Sequence, residues 1–460
     1  LAARGFGKGS TLALMSPNIP EYAVIFHGVA MAGGVITTIN PTYTEAEVHK
    51  QLLDSHATVL VTIPMFLEVA TKAAEGTDVA EVFVLGEAEG ARPATELFGA
   101  PLAEQVPVDP DDVVVLPYSS GTTGVNKGVM LSHRNLVANV AQVLGPADIR
   151  EDEVFIAVLP FFHIYGMQVL MNTGLRAGTT IVTMPRFDLE EFLRLHQDYG
   201  ITRSFVAPPI VVALAKHPMV DQYDLSKLEQ VFSGAAPLSA ELALECGARL
   251  GCEVVQGYGM TELSPVSHLT PPGRFKPGSC GVTAPNTETK IVDPVTQAEL
   301  GVDEDGEVVV RGPQVMLGYL GNQSATDAML EKDGWLHTGD IGHLDEDGYV
   351  RITGRMKDII IRKGENISAK EIEDLLYTHP KVLDAAVIGV PDRERGEMVC
   401  AVVELRDATD TLTLDELTAY CVDAQIMRQK IPERVEVVAP LPRTATGKIL
   451  KTELRARFAG

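Results

Sequence analysis

Val113-Val-Val-Leu-Pro-Tyr-Ser-Ser-Gly-Thr-Thr-Gly-Val-Asn-Lys-Gly128 decides how the rest of the chain is read. The apolar run Val113–Leu116 has the length and β-branched content of a buried strand. It passes directly into Tyr118–Gly128, which holds two serines, two threonines, three glycines and one lysine. Such a loop offers N–H and O–H donors around a cation, which is the chemistry that holds a polyphosphate. It is not a Walker A loop, because Lys127 is followed by Gly128 and not by Ser or Thr. A plain surface turn would not concentrate so many phosphate-binding residue types behind a buried strand.

Working outward, similar apolar runs recur at Thr11–Met15, Val35–Ile39, Thr58–Ile63, Phe155–Leu159, Thr179–Thr183 and Val254–Val255, separated by helical patterns. Strand, loop and helix in repetition predict an α/β fold up to about residue 285, with ligands gathered where strands end. From about 286 to 353, short strands at Thr289–Val292, Glu307–Arg311 and Tyr349–Ile352 alternate with Asp/Gly turns and predict a β-rich module. These regions together, 1–354, are expected to form a large N-terminal domain, and 355–460 a small mobile α+β domain. In the latter, Lys357–Arg362, Leu383–Gly389 and Val399–Leu405 read as strands. Ser368-Ala-Lys-Glu371 reads as a capping box opening a helix over Ala369–His379, and Thr413-Leu-Asp-Glu416 as another opening a helix to about Met427.

Composition narrows the function classes. The 460 residues include 62 acidic and 38 basic ones, a net charge of −24, which speaks against a nucleic-acid-binding surface. Five cysteines without Cys-x-x-Cys spacing read as reduced thiols of a cytoplasmic protein. The most apolar stretch, Tyr22–Ile39, is interrupted by His27 and Gly33-Gly34. It reads as helix, turn and strand, so no integral membrane span is expected.

Six further motifs follow the loop: Phe161-Phe-His-Ile-Tyr165, Ser233-Gly-Ala-Ala-Pro237, Gln256-Gly-Tyr-Gly-Met-Thr-Glu262, Gly334-Trp-Leu-His-Thr-Gly-Asp340, Gly354-Arg-Met-Lys-Asp358 and Pro442-Arg-Thr-Ala-Thr-Gly-Lys448. In content and order the seven resemble the adenylate-forming superfamily, which holds acyl-CoA synthetases, luciferases and peptide synthetase adenylation domains. The resemblance covers essentially the whole chain and is greatest to the 4-coumarate:CoA ligase group, including its bacterial members.

The resemblance implies an ATP-dependent acid:CoA ligase with ATP, Mg²⁺ and coenzyme A as its small-molecule requirements and a carboxylic acid as its substrate. The acid is activated as an acyl-adenylate with release of pyrophosphate, then passed to CoA with release of AMP. Nucleotide contacts are expected from Ser119, Ser120, Gly121, Thr122, Thr123, Lys127, Gly234, Ala235, Ala236, Gln256, Gly257, Tyr258, Thr261, Asp340 and Arg355. Tyr258 offers a ring for adenine, Thr261 a donor for the α-phosphate, Glu262 a carboxylate for Mg²⁺, and Asp340 an acceptor for the ribose hydroxyls. Lys448 is the expected bridge between carboxylate and α-phosphate, where a cation offsets repulsion between two anions. His163 would gate the acyl pocket. Lys357 would be the hinge of the small domain, and Arg186, Lys363 and Gly364 would meet CoA. The acyl pocket would be lined by Tyr165, Val169, Gly234, Gly259, Leu263, Pro265, Val266 and Leu269. Without a lysine or arginine among them, the pocket predicts a hydrophobic monocarboxylate, either a 4-coumarate or cinnamate type or a medium- to long-chain fatty acid. Gly234 and Gly259 carry no side chain, so a flat ring or an extended chain is expected to pass between them, and Tyr165 would supply an aromatic face and a hydroxyl to meet a phenol.

Some positions depart from the pattern. Asn126 stands where the family usually has proline, and Ile361 and Asn366 stand where plant-type ligases carry lysine and glutamine. The start, Leu1-Ala-Ala-Arg-Gly, resembles the end of a helix usually preceded by about fifty family residues. Alternatives in the same superfamily are a fatty-acyl-AMP ligase loading a carrier protein and a luciferase-like oxygenase; outside enzymes, the alternative is a nucleotide-binding relic. The stretch Arg351–Glu371 shows none of the insertion that sets the acyl-AMP ligases apart. Intact Lys127, Glu262, Asp340, Arg355 and Lys448 argue against a relic.

Overall fold

The structure, a computed structural model, describes residues 1–102, 104, 106–119, 127–363, 365–444 and 447–459, with only the backbone of 365 and 366. It divides into two compact units, Leu1–Glu288 with Val310–Leu336, and Thr289–Val309 with His337–Gly460.

The first unit is α/β. One eight-stranded sheet runs in the order Gly318–Tyr319, Lys127–Ser132, Val113–Ser119, Val35–Ile39, Thr11–Met15, Ala57–Thr62, Glu81–Val84 and Arg92–Pro93. Its strands from Val113–Ser119 to Arg92–Pro93 are parallel, and the two at the other edge are antiparallel. A seven-stranded sheet runs Val282–Thr283, Val266–Leu269, Glu253–Gly259, Gln230–Ser233, Arg203–Val206, Val154–Ala157 and Thr180–Thr183. The central strand Thr11–Met15 is buried at every position, as expected where helices cover both faces of a parallel sheet. The stretch Tyr22–Ile39 resolves into the helix Pro20–Met31 and the strand Val35–Ile39. Among the described residues, no helix is long and apolar enough to cross a membrane. None of the five cysteines is in a disulfide.

Asn18 ties the two sheets together. Its Nδ2 donates to the carbonyls of Ala157 and Leu159, both at 2.8 Å, and its Oδ1 accepts from Phe161 N–H at 2.7 Å. Thr38 Oγ1 donates to the Phe162 carbonyl at 2.8 Å. The ends of strands in one sheet thereby hold the segment that follows a strand of the other.

The second unit carries most of the four-stranded sheet of Glu288–Val292, Gly306–Arg311, Leu336–Leu344 and Val350–Arg355. It also carries a five-stranded sheet built around Val382–Asp392 and Gly396–Leu405. An apolar core that includes Ile372, Leu376, Val387, Val403 and Leu417 backs that sheet. Three local expectations are corrected here. Ser368 makes no cap on the helix Ala369–Tyr377, because its Oγ donates to the Thr353 carbonyl at 2.8 Å. The helix opened by Thr413, which does accept from Glu416 N–H, ends at Asp423. Residues Met356–Asp358 form a short 3-10 turn, so the strand begins at Ile359.

Candidate active site

In the first unit, the strand Val113–Ser119 pairs antiparallel with the strand Lys127–Ser132, with Ser119 paired to Lys127 and Tyr118 to Gly128. Ser120, Gly121, Thr122, Thr123 and Asn126 lie outside the described residues. Beside this hairpin, the strand Glu253–Gly259 leads into a 3-10 turn, Thr261–Leu263. Glu262 is 5% exposed, and a carboxylate so buried needs donors. Ser119 Oγ donates to its Oε1 at 3.2 Å and Tyr319 Oη to the same oxygen at 2.7 Å. The carbonyl of Glu262 accepts from Met316 N–H at 2.9 Å, which fixes the turn. Thr261 is buried next to it.

Tyr258 is half-buried, with its ring 5.8 Å from that of His268 across the strand pair. Burial pushes the His268 imidazole down to about 3, so it stays neutral. Gln256 is expected at the nucleotide, and its side-chain oxygen here accepts from Leu238 N–H at 3.0 Å, pinning the end of the Ser233–Pro237 loop. A Cβ on Gly257 would lie 2.5 Å from the Phe232 ring. Within the Ser233–Pro237 loop, Gly234 N–H donates to the Val206 carbonyl at 3.1 Å, and Ala235 sits at φ 71, a left-handed conformation costly for a residue with a Cβ. Ala236 follows it.

The segment after strand Val154–Ala157 carries Phe161-Phe-His163 and then a π-helix, Tyr165–Asn172, a rare geometry that is frequent at functional sites. His163 Nδ1 accepts from Tyr165 N–H at 3.3 Å. Tyr165 and Val169 are buried, as are Leu263, Pro265, Val266 and Leu269. Two readings of this pocket are corrected. The Tyr165 hydroxyl donates to the Phe232 carbonyl at 3.2 Å, so it is already engaged and is not held out for a phenol. Gly234 and Gly259 do not flank a slot. A Cβ on Gly234 would lie 2.9 Å from the Tyr165 ring, and one on Gly259 would lie 2.1 Å from the Pro265 carbonyl oxygen. Both glycines serve close packing within the protein.

In the second unit, Asp340 and Arg355 face each other across antiparallel strands, with Arg355 Nε 2.6 Å from Asp340 Oδ1. Thr338 Oγ1 accepts from Asp340 N–H at 3.1 Å and donates to the Val308 carbonyl at 2.7 Å. Lys448 closes a tight turn in which Thr444 N–H donates to its carbonyl at 2.8 Å and its own N–H donates to Thr444 Oγ1 at 3.1 Å. Arg443, paired with Asp384, donates to the Gly447 carbonyl at 2.8 Å and braces that turn. Burial, reinforced by the charges of Arg355 and Lys357, pushes the Lys448 ammonium down to about 7.

Lys357 lies in the 3-10 turn Met356–Asp358, and its carbonyl accepts from Arg455 at 3.3 Å. Arg455 also binds Asp358 at 2.7 Å, and Lys451 binds Glu373 at 2.7 Å, so the last helix is clamped to the turn and to the helix Ala369–Tyr377. Lys363 is exposed at φ 51, and Gly364 lies outside the described residues. Arg186 is exposed in the first unit. Sequence reasoning missed Asn18, Thr38, Arg443 and Tyr319. The only trace of the first two is a buried polar residue at the end of an apolar strand.

Residues 1–320 match the family model for AMP-binding enzyme, and residues 371–448 match that for the AMP-binding enzyme C-terminal domain. The chain is 42% identical to 4-coumarate--CoA ligase 5 of Oryza sativa subsp. japonica, covering 100% of this chain and 87% of that protein. Among solved structures, it is similar to ATP-bound MatB from Rhodopseudomonas palustris at 32% identity and TM-score 0.91, over 100% of this chain and 90% of that one. The anthranilate CoA ligase AuaEII in complex with anthranoyl-AMP superposes at TM-score 0.91 with 26% identity, over 99% and 89%.

Proposed function

The chain belongs to the AMP-binding enzyme family as an ATP-dependent, AMP-forming acid–thiol ligase working through an acyl-adenylate, and from that premise we propose a division of labour among its residues. Its substrates are a carboxylic acid, ATP and CoA.

The loop from Ser119 through Ser120, Gly121, Thr122 and Thr123 to Lys127 receives the β- and γ-phosphates. Glu262 is the ligand for Mg²⁺. Both donors on its carboxylate fall on Oε1, and one hard carboxylate completed by substrate phosphates is an ordinary Mg²⁺ donor set, so the residues fit the ion. When bound, the ion neutralises charge on the phosphates. Tyr258 and the Gly234–Ala236 backbone receive the adenine, Asp340 with Arg355 the ribose, and Thr261 the α-phosphate. Lys448 sits between the acid's carboxylate and the α-phosphate during adenylation, stabilising the charge that develops as the acid oxygen bonds phosphorus and pyrophosphate departs. CoA sulfur then attacks the acyl carbonyl and AMP leaves. Lys357 is the pivot between the two half-reactions, and Arg186, Lys363 and Gly364 meet CoA. The domain boundary that matters for catalysis is therefore placed at 354/355.

The acid is a hydrophobic monocarboxylate of the 4-coumarate or cinnamate type; that Val169, Leu263, Val266 and Leu269, the residues assigned to the acyl group, are all buried and aliphatic supports this. The protein works in the cytoplasm. The observation that carries the reading is the buried Glu262 carboxylate, oriented by Ser119, the last residue of the strand Val113–Ser119. ATP–pyrophosphate exchange and CoA-dependent AMP release across 4-coumarate, octanoate, acetate and malonate test it. Exchange with 4-coumarate and AMP release only when CoA is added are expected. Exchange without any CoA-dependent product would identify a carrier-loading acyl-AMP ligase instead.

A further inference from the structure

We propose that Tyr319 is a positioning residue for the phosphate end of ATP, orienting the Glu262 carboxylate through its hydroxyl and the Lys127 ammonium through its ring; this rests on the roles given above to those two residues.

Tyr319 lies outside all seven motifs. It is on the short strand Gly318–Tyr319, paired with Val129, two residues past Lys127, and Leu320 N–H donates to the Gly128 carbonyl at 2.9 Å. That strand is therefore sewn to the return arm of the hairpin. The side chain is 4% exposed. Its Oη is 2.7 Å from Glu262 Oε1 and 2.8 Å from Met329 Sδ. The Lys127 Nζ stands 4.8 Å from the centre of its ring, within cation–π range. One side chain thus touches both charged groups, and each of them receives a neutral partner.

The consequence is electrostatic. If a carboxylate and an ammonium collapsed onto each other, they would cancel the charges that a metal and a phosphate must find. A phenol satisfies the carboxylate by one O–H donor on Oε1, and a π face steadies the ammonium without neutralising it. A phenol keeps its O–H donor throughout the working range, because even a free tyrosine deprotonates only at about pH 10. A purely structural role would require only that the ring fill space. The hydroxyl's geometry on the same oxygen that Ser119 contacts goes beyond that requirement.

The experiment measures ATP binding by calorimetry across a series of MgCl2 concentrations, with AMP binding in the same preparation as the internal reference. Tyr319→Phe keeps the ring and removes the donor. It should raise the Mg²⁺ concentration for half-maximal ATP binding about ten-fold, the scale of one lost charge-assisted hydrogen bond. AMP affinity should stay within about two-fold, and any fall in the unfolding midpoint should be no more than a few degrees, the scale of one lost buried hydrogen bond. Tyr319→Leu should in addition weaken ATP binding in EDTA, because Lys127 loses its ring. Glu262→Gln separates this inference from its premise. If Glu262→Gln shifts the Mg²⁺ dependence and Tyr319→Phe does not, Tyr319 has no positioning role. If neither shifts it, the Glu262 reading falls and takes this inference with it. An equal loss of ATP affinity, AMP affinity and thermal stability in Tyr319→Phe would mark a merely structural tyrosine and overturn the proposal.

Discussion

At Lys448 the turn geometry and the electrostatics work against each other. Arg443 and Thr444 hold the residue in place, while burial and two neighbouring cations lower its affinity for a proton to about 7. The lysine acts as a cation, so adenylation kcat/KM, which reports the free enzyme, should fall as pH rises through about 7. Lys448→Arg should move that falling limb to higher pH, because a guanidinium does not deprotonate. The linkage has a definite sign. Between about 7 and the ordinary lysine value the unfolded chain binds the extra proton, so this residue's contribution to stability rises with pH in that window. Lys448→Ala should lower acyl-adenylate formation by about three orders of magnitude, the scale of a lost transition-state partner. Conversion of preformed acyl-adenylate and CoA to thioester should survive. Equal loss in both half-reactions would remove the assigned role.

Among the elements, the 3-10 turn Met356–Asp358 and the strand pair 253–259 with 266–269 carry the sharpest constraints. The turn is tied by Arg455 and Lys451 to the last helix, and its two ends meet strands that run in different sheets. Lys357→Pro would fix φ within the turn and restrict Met356 as well. Adenylation should persist and thioester formation should collapse; a variant equally competent in both would argue against a pivot here. At the strand pair, Gly259→Ala would press a methyl against the Pro265 backbone at 2.1 Å, where no side-chain motion can relieve it. The pair must open, at a cost of about 2 kcal/mol or more. Chemical denaturation should register that loss together with weaker ATP binding, because Thr261 and Glu262 follow directly on the strand.

For the whole molecule, the acid is the quantity to predict. Gly234→Leu drives its side chain into the Tyr165 ring, which is itself held by the Phe232 carbonyl. Steady-state kinetics should show kcat/KM falling for every acid, by about ten-fold or more further for 4-coumarate and octanoate than for acetate, since long acids also need the volume into which the ring is pushed. Malonate should be a poor substrate of the unmutated enzyme, because its second carboxylate would be buried among aliphatic side chains. Malonate or succinate as the best acid would sink the pocket assignment.

The sequence by itself determined the α/β class, most of the strands named from it and the ordered motifs, because those depend on local periodicity and residue chemistry. Thr11–Met15 and Val35–Ile39 match to the residue. Capping was less legible. Ser368 has the right residue types, yet its hydroxyl finds the Thr353 carbonyl, a partner 15 positions away that no local pattern reveals. The same limit hid Tyr319, which meets Glu262 across 57 residues of chain, and Asn18, which reaches Phe161 across 143. It also misread Gly234 and Gly259 as open space, since a missing side chain in the sequence does not say what fills the gap. Only the tertiary structure decided these, because a buried polar atom takes whichever partner the packed chain brings within reach, and that choice is made by distance in space and not by distance along the chain.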